Sequence, residues 1–424
     1  MKMEESQRKA HATSVLVSLG LLLVMTIGGG CDFLGGAFEH EPQDLQEQIG
    51  QEARRLIGQS YADLDPAKIR DYHTHIAGMN PQLNGTYVNE GWKSLFTGGF
   101  HYIQFEIYKS AAGITDEKHA DAQYLTRLKS LVENLPRPGK FGLMAFDYFH
   151  DENGKADPGR STFYVPNDYV MDIVNENPEL FFPIISIHPY RDDAVDQLRK
   201  YAKQGVGFVK WLPNAMGIHP ASQTRHDKLD AYYRVMREFD MVLISHTGDE
   251  KATEAEELQH LGNPLFLKRP LDKGVKVVMA HVASLGSCSE EDANLCTPGM
   301  PYIDLAIEMM QEPKYKDLLF ADISALTQIN RQEHLNTVLS HSSIHSNLIN
   351  GSDYPLPAVN VVIQTRALAR AGYITSQERE ALNEIYDYNP LLFDFVLKRT
   401  LRHSDTQVKF PPSVFMEHPS LMTH

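Results

Sequence analysis

The chain has 424 residues, 42% of them hydrophobic and 22% charged, a globular composition whose length suits one large domain or two of ordinary size. Its net charge of −15, with no basic patch in the sequence, argues against nucleic acid as a partner, because a phosphate-binding surface needs clustered lysine and arginine.

The chain opens on Lys2, Arg8 and Lys9, followed by an apolar run from Ser14 to Ile27 that is too short to span a bilayer comfortably. Gly28-Gly29-Gly30-Cys31 comes next and resembles the lipobox cut by the lipoprotein signal peptidase, with Gly28 where that pattern prefers leucine. This resemblance implies a signal peptide over residues 1–31 and an exported protein held to a bacterial membrane by a lipid on Cys31, facing the periplasm or the outside. An ordinary secretory signal or an uncleaved anchor are the alternatives. Residues 32–65 are acidic and glutamine-rich, with Gln43 to Arg55 able to form a helix, and read as a tether leading into the body.

The body, residues 66–400, alternates short apolar runs with amphipathic stretches. The runs are Ile69–His75, Phe141–Asp147, Phe182–His188, Gly207–Leu212, Met241–His246, Val275–His281, Leu318–Ser324 and Leu348–Asp353. Most are too short for helices and rich in Val, Ile and Phe, as strands buried on both faces should be. Helical periodicity fills the gaps, for example at Tyr124, Leu125, Leu128, Leu131, Val132 and Leu135, and over Asp193–Lys203, His226–Phe239 and Tyr302–Gln311. Eight strands alternating with helices predict an α/β fold, a (β/α)8 TIM barrel, with a helical insertion over Ala77–Lys140 above its mouth after strand one. Trp92, Phe96, Phe100, Tyr102, Phe105 and Tyr108 would let that insertion cover a pocket. Cys288 and Cys296, with seven residues between them in a polar loop, suit a disulfide in an exported protein; free thiols or zinc ligands are the alternatives. The tail, residues 401–424, would wrap the surface.

In such a barrel, polar side chains at the C-terminal strand ends carry the chemistry. Strand one ends in His73 and His75, two residues apart and so on one face, which makes half a metal site. Strand four ends in Lys210, strand five in His246, strand six in His281 and strand eight in Asp353. These five strand ends, in this order, resemble the amidohydrolase superfamily, in particular its amidohydrolase-related (amidohydrolase 2 type) metal-dependent hydrolases, a branch that also holds decarboxylases. The resemblance covers Ile69 to Leu397. It implies that His73, His75 and His246 ligate a divalent metal, most readily Zn2+, and that Asp353 touches the metal and handles a proton. It implies that His281 binds a second ion or contacts substrate, and that Lys210, once carboxylated, bridges two ions.

Three imidazoles and a carboxylate leave an open position on zinc, the mark of a catalytic site, where water is acidified towards neutral pH. Manganese, iron or cobalt would fit the same donors. Each residue has a plainer alternative. His73 and His75 could lie on an exposed edge strand, His246 could be a core histidine, and Lys210 could form a salt bridge at the rim. His188 reads as structural or as a substrate contact, Ser324 and Asp322 could line the pocket, and His150, His219, His341 and His345 have no assigned role. The loops Ala77–Lys140 and Gly286–Pro301 would shape specificity.

The function expected is hydrolysis of an amide, ester or lactone bond in a small-molecule substrate, with one or two metal ions. A mononuclear, non-oxidative decarboxylase is one alternative, which a bridging Lys210 would disfavour. A non-catalytic, lipid-anchored metal or solute binder is the other, in which Asp353 would have no use as a proton carrier.

Overall fold

Each of the eight apolar runs forms a strand because both of its faces are buried. The computed structural model describes residues 40–137 and 139–422. The strands are β1 (Arg70–His75), β2 (Lys140–Met144), β3 (Phe181–Ile185), β4 (Phe208–Trp211), β5 (Val242–Ser245), β6 (Lys276–Met279), β7 (Leu319–Asp322) and β8 (Leu348–Ile349). They are hydrogen-bonded in sequence order and all parallel. The last strand returns to the first: Tyr72 N donates to Asn350 O at 2.9 Å, Asp353 N to His73 O at 2.7 Å, and His75 N to Tyr354 O at 3.0 Å. The (β/α)8 barrel is therefore closed.

Between the strands lie the expected helices, including α1 (Gln51–Tyr61), α2 (Phe100–Ala111), α3 (Ala120–Glu133), α4 (Asn167–Glu176), α5 (Ala194–Ala202), α6 (His226–Glu238), α7 (Tyr302–Gln311), α8 (Ser376–Tyr388) and α9 (Pro390–Thr400). A two-stranded ribbon of Tyr87–Val88 and Phe163–Tyr164 joins the insertion to the loop after β2. Inside the barrel Met144, Ile184, Phe208, Ile244, Val278 and Phe320 pack into a core distinct from the larger one between strands and helices.

β1 carries an irregularity that matters for the site. Asp71 pairs with Phe141 but Thr74 with Leu143, so β1 has one residue more than its neighbour over this stretch. Such a bulge re-aims side chains. It lets Tyr72 join the interior core, against Phe182 and Phe208, while His73 and His75 still face the barrel mouth.

Both ends of the chain depart from expectation. The lipobox-like Gly28–Cys31 and its leader lie outside the described residues, but the supposed tether is part of the body from Leu45 onward. Leu45, Ile49, Ala53, Leu56, Ile57 and Tyr61 are buried, α1 packs on α8 and α9, and Arg399 Nε donates to Ser60 O at 3.0 Å. Acidic and glutamine residues simply occupy its outer face. The tail does not wrap the surface; it closes the bottom of the barrel. Phe410, Val414 and Phe415 are buried, Leu421 enters the interior core, and the His418 ring lies 4.8 Å from that of Phe320. Cys288 and Cys296 are disulfide-bonded. Among the described residues no helix is long and apolar enough to cross a membrane.

Because Leu421 is buried in the interior core, Leu421→Ala should lower unfolding free energy by about 2–5 kcal/mol. Urea titration measures it; a loss under about 0.5 kcal/mol, the range of an ordinary surface change, would mean that the tail does not support the barrel.

Candidate metal centre and its cavity

The six residues singled out at the strand ends all meet. His73, His75, Lys210, His246, His281 and Asp353 line one cavity of about 800 Å3 at the C-terminal mouth of the barrel. His73 Nε2, His75 Nε2 and Asp353 Oδ1 converge, with the carboxylate oxygen 3.5 Å from the first nitrogen and 3.2 Å from the second. The His281 ring centre lies 5.0 Å from that of His73 and 5.1 Å from that of His246. Lys210 Nζ is 3.2 Å from His73 Nε2.

Close approach of β8 to β1 makes this possible. A Cβ on Gly351 would stand 2.6 Å from that of His73, so only glycine fits there. Beside it Asp353 holds a left-handed backbone at φ +61°, as do His281 and the β-branched Val282 at +59° and +50°. Conformations of this kind cost roughly 1–3 kcal/mol each and collect at functional sites.

Proton positions follow from the hydrogen-bond network. His73 Nδ1 donates to Asp322 Oδ2 at 2.9 Å, leaving Nε2 as a lone pair. His281 Nδ1 donates to Ser324 Oγ at 2.8 Å, and that hydroxyl donates in turn to Asp322 Oδ1. His246 Nδ1 faces Glu250 Oε2 at 3.4 Å. His246 Nε2 is buried and has no partner at all. Thus each of the three rings has its Nδ1 turned to a carboxylate or hydroxyl, the arrangement of ligating histidines held at the far nitrogen; Lys210 donates to Nε2 of His73, and Nε2 of His246 has no partner.

Electrostatics agrees. Burial holds His73, His246 and His281 well below the ordinary histidine range, helped by Lys210 for His73, by His281 for His246 and by Arg331 for His281. They are neutral, the form that binds metal. Burial pushes Asp353 up, but the His75 hydrogen bond and the surrounding His73, His75 and Lys210 prevail and leave it below its usual value. Burial brings Lys210 down to about 8. The donor set therefore fits a divalent metal: neutral nitrogens, one ionised carboxylate, and an orphaned buried nitrogen in His246. A second grouping, His73, His281 and Asp322, lies equally close, but there the hydrogen bonds to Asp322 already account for the atoms.

Other expectations change. His188 does not face the cavity; its Nε2 donates to Met216 O at 2.9 Å and its ring lies 4.4 Å from that of His150, a structural use. Asp322 and Ser324 stand behind the histidines instead of lining the pocket. Phe96, expected to cover the cavity, is 99% exposed, whereas Trp92, Phe105 and Tyr108 do line it. The Gly286–Pro301 loop takes no part in the described lining, because its disulfide and the bond from Cys288 N to Met300 O fold it on itself. The segments around Glu250–Thr253 and Gln328–Arg331 supply the wall in its place. Glu250 and Arg331 were not anticipated. A carboxylate four residues beyond His246 was a faint signal for the first; for Arg331 there was none.

No protein-family model matches the chain, and no curated protein matches it. Solved structures that resemble it include an uncharacterised TIM-barrel protein from Bordetella bronchiseptica, 13% identical, covering 75% of this chain and 99% of its own, with a TM-score of 0.43. A 4-oxalomesaconate hydratase from Rhodopseudomonas palustris is 16% identical over 75% of this chain and 95% of its own, TM-score 0.39. A manganese-bound 5-carboxyvanillate decarboxylase from Novosphingobium aromaticivorans is 10% identical over 82% and 96%, TM-score 0.41. These likenesses are distant.

Since Asp322 fixes the proton on His73 and, through Ser324, on His281, Asp322→Asn should weaken binding of a divalent metal about 10–100-fold in a folded protein. Competition with a chelating dye reads this out; unchanged affinity would remove Asp322 from that role.

Proposed function

We propose that the protein is a metal-dependent hydrolase that cleaves an amide, ester or lactone bond of a small molecule in the barrel-mouth cavity. The observation that carries this reading is the convergence of His73 and His75 on an ionised, buried Asp353 in a cavity that the unpartnered His246 also lines. His73, His75, His246 and Asp353 would hold one divalent metal. When bound, that ion supplies Lewis acidity, which acidifies water and polarises a carbonyl.

The chain's own groups do the rest. Asp353 Oδ1 lies where it can take a proton from attacking water and return it to the leaving group, as general acid–base catalysis requires. Its low pKa keeps it ready as a base, and His75 at 3.2 Å steadies the charge. His281, clamped at Nδ1 by Ser324, presents Nε2 to the cavity as a substrate contact or as a ligand for a second ion. Lys210 is fully buried and its amine is neutral above about pH 8, the form that can react with carbon dioxide to give a carbamate. A carbamate there would convert a repelling cation into a bridging anion. The apolar leader and Cys31 support export and attachment to a bacterial membrane.

A soluble chain beginning after Cys31 should carry divalent metal by elemental analysis. About two ions per chain, falling with Lys210→Ala, would support a carbamate bridge; about one, indifferent to Lys210, would leave a mononuclear site. On esters, amides and lactones, Asp353→Asn should cut turnover about 10²–10⁴-fold while metal remains bound. Full activity in that variant would overturn the hydrolase reading, and release of carbon dioxide without bond hydrolysis would replace it with decarboxylation.

A further inference from the structure

Arg331 lies in the loop after β7, 5% exposed, and lines the cavity. Its guanidinium makes one side-chain hydrogen bond, from Nη1 to Ser284 Oγ at 3.1 Å, and its buried Nε has no partner. Among the described residues it forms no ion pair; Asp353, Glu250, Asp249 and Asp322 act on it only through space. Burial without a counter-ion is a heavy cost for a guanidinium, and such groups are retained where something else supplies the charge. Asp353 is not free to do so, because it faces the two imidazoles, and Asp322 is spent on His73, His281 and Ser324.

The remaining wall is of another character. Trp92, Phe105, Tyr108, Tyr124, Phe163 and Leu212 present rings and aliphatic groups to the same space. A cavity of about 800 Å3 has room for a molecule of drug-like size. The other lining cations are engaged, Lys210 on His73, Lys109 on Glu106 and Glu117 and Lys251 on Asp249, so the planar guanidinium is left to match a planar, singly charged oxyanion.

We propose that Arg331 is the anion-binding residue of the cavity and that the substrate is a carboxylate on an apolar, ring-sized body. The guanidinium takes the carboxylate in a two-pronged hydrogen bond, and the aromatic wall holds the body with its scissile bond towards Asp353. The substrate class rests on the hydrolase reading; the binding role of Arg331 does not.

The test is equilibrium binding to the metal-loaded protein of ω-phenylalkanoates with two- to six-carbon chains, each paired with its neutral amide, followed by calorimetry or by Trp92 fluorescence. At least one carboxylate should bind about tenfold or more tighter than its amide, the worth of a charge-assisted bond. Arg331→Met should abolish the preference and Arg331→Lys keep part of it, both with wild-type circular dichroism. Binding of no carboxylate, or equal preference in Arg331→Met, overturns the proposal. If the preference instead vanishes only on chelation, the carboxylate sits on the metal: Arg331 loses its role while the metal site stands. A preference that survives chelation and depends on Arg331, in a protein that hydrolyses nothing, keeps the anion site and removes the hydrolase.

Discussion

The seam between β1 and β8 is the constraint on which the site depends. Its hydrogen bonds, from Tyr72 to Asn350 and from Asp353 to His73, join segments from opposite ends of the chain. They do so at the very residues that carry the candidate metal-binding groups. Nothing local would bring Asp353 to His75; the barrel core does, by requiring the sheet to close. Asp71 strengthens the seam by accepting from both His73 N and Ser352 N, and Lys398 by donating to Gly351 O at 2.7 Å while paired with Asp394. The bulge in β1 and the missing side chain at Gly351 then set how closely the histidines and the carboxylate can meet.

A buried cluster of imidazoles is costly unless each ring has a defined proton. Here one carboxylate, Asp322, organises two rings, directly at His73 and through Ser324 at His281, and also accepts from the backbone N–H of His281 and Ser324. That concentration of donors on Asp322 turns the Nε2 atoms outward as acceptors. Lys210 satisfies the one on His73, whereas His246 Nε2 has nothing. An unsatisfied buried nitrogen costs about 1–3 kcal/mol, a penalty that a bound cation removes.

The strands were legible in the sequence because burial on both faces leaves unbroken apolar runs, and the polar residues that end those runs therefore stood out. His73, His75, Lys210, His246, His281 and Asp353 could be found this way and all meet at one mouth. What was not legible depends on loop conformation and on distant partners. Asp322 looks like a lining residue until its hydrogen bonds are seen. Arg331 looks like any loop arginine, since its burial arises from segments far apart in sequence. The disulfide loop looked like a specificity loop, yet its own cross-link folds it away from the pocket. The docking of the helix at Gln51–Tyr61 and of the tail around Leu421 is hidden for a common reason: polar composition describes the outer face of a segment and masks the few apolar residues that dock it.

Charge balance links the two halves of the cavity. With the imidazoles of His73, His246 and His281 neutral, the buried charges are the cations Lys210 and Arg331 against Asp322, Asp353 and Glu250, and burial pushes the last of these towards its neutral form. The protein alone is thus close to electroneutral. A dication would leave the cavity with a surplus of positive charge in a low-dielectric setting, where such a surplus is strongly felt. Converting Lys210 to a carbamate would remove part of it. An anionic substrate would neutralise more, at the Arg331 end, and its binding would be tightest when the metal is in place. Metal and anion would then favour one another through the shared field of the cavity, without any change of shape.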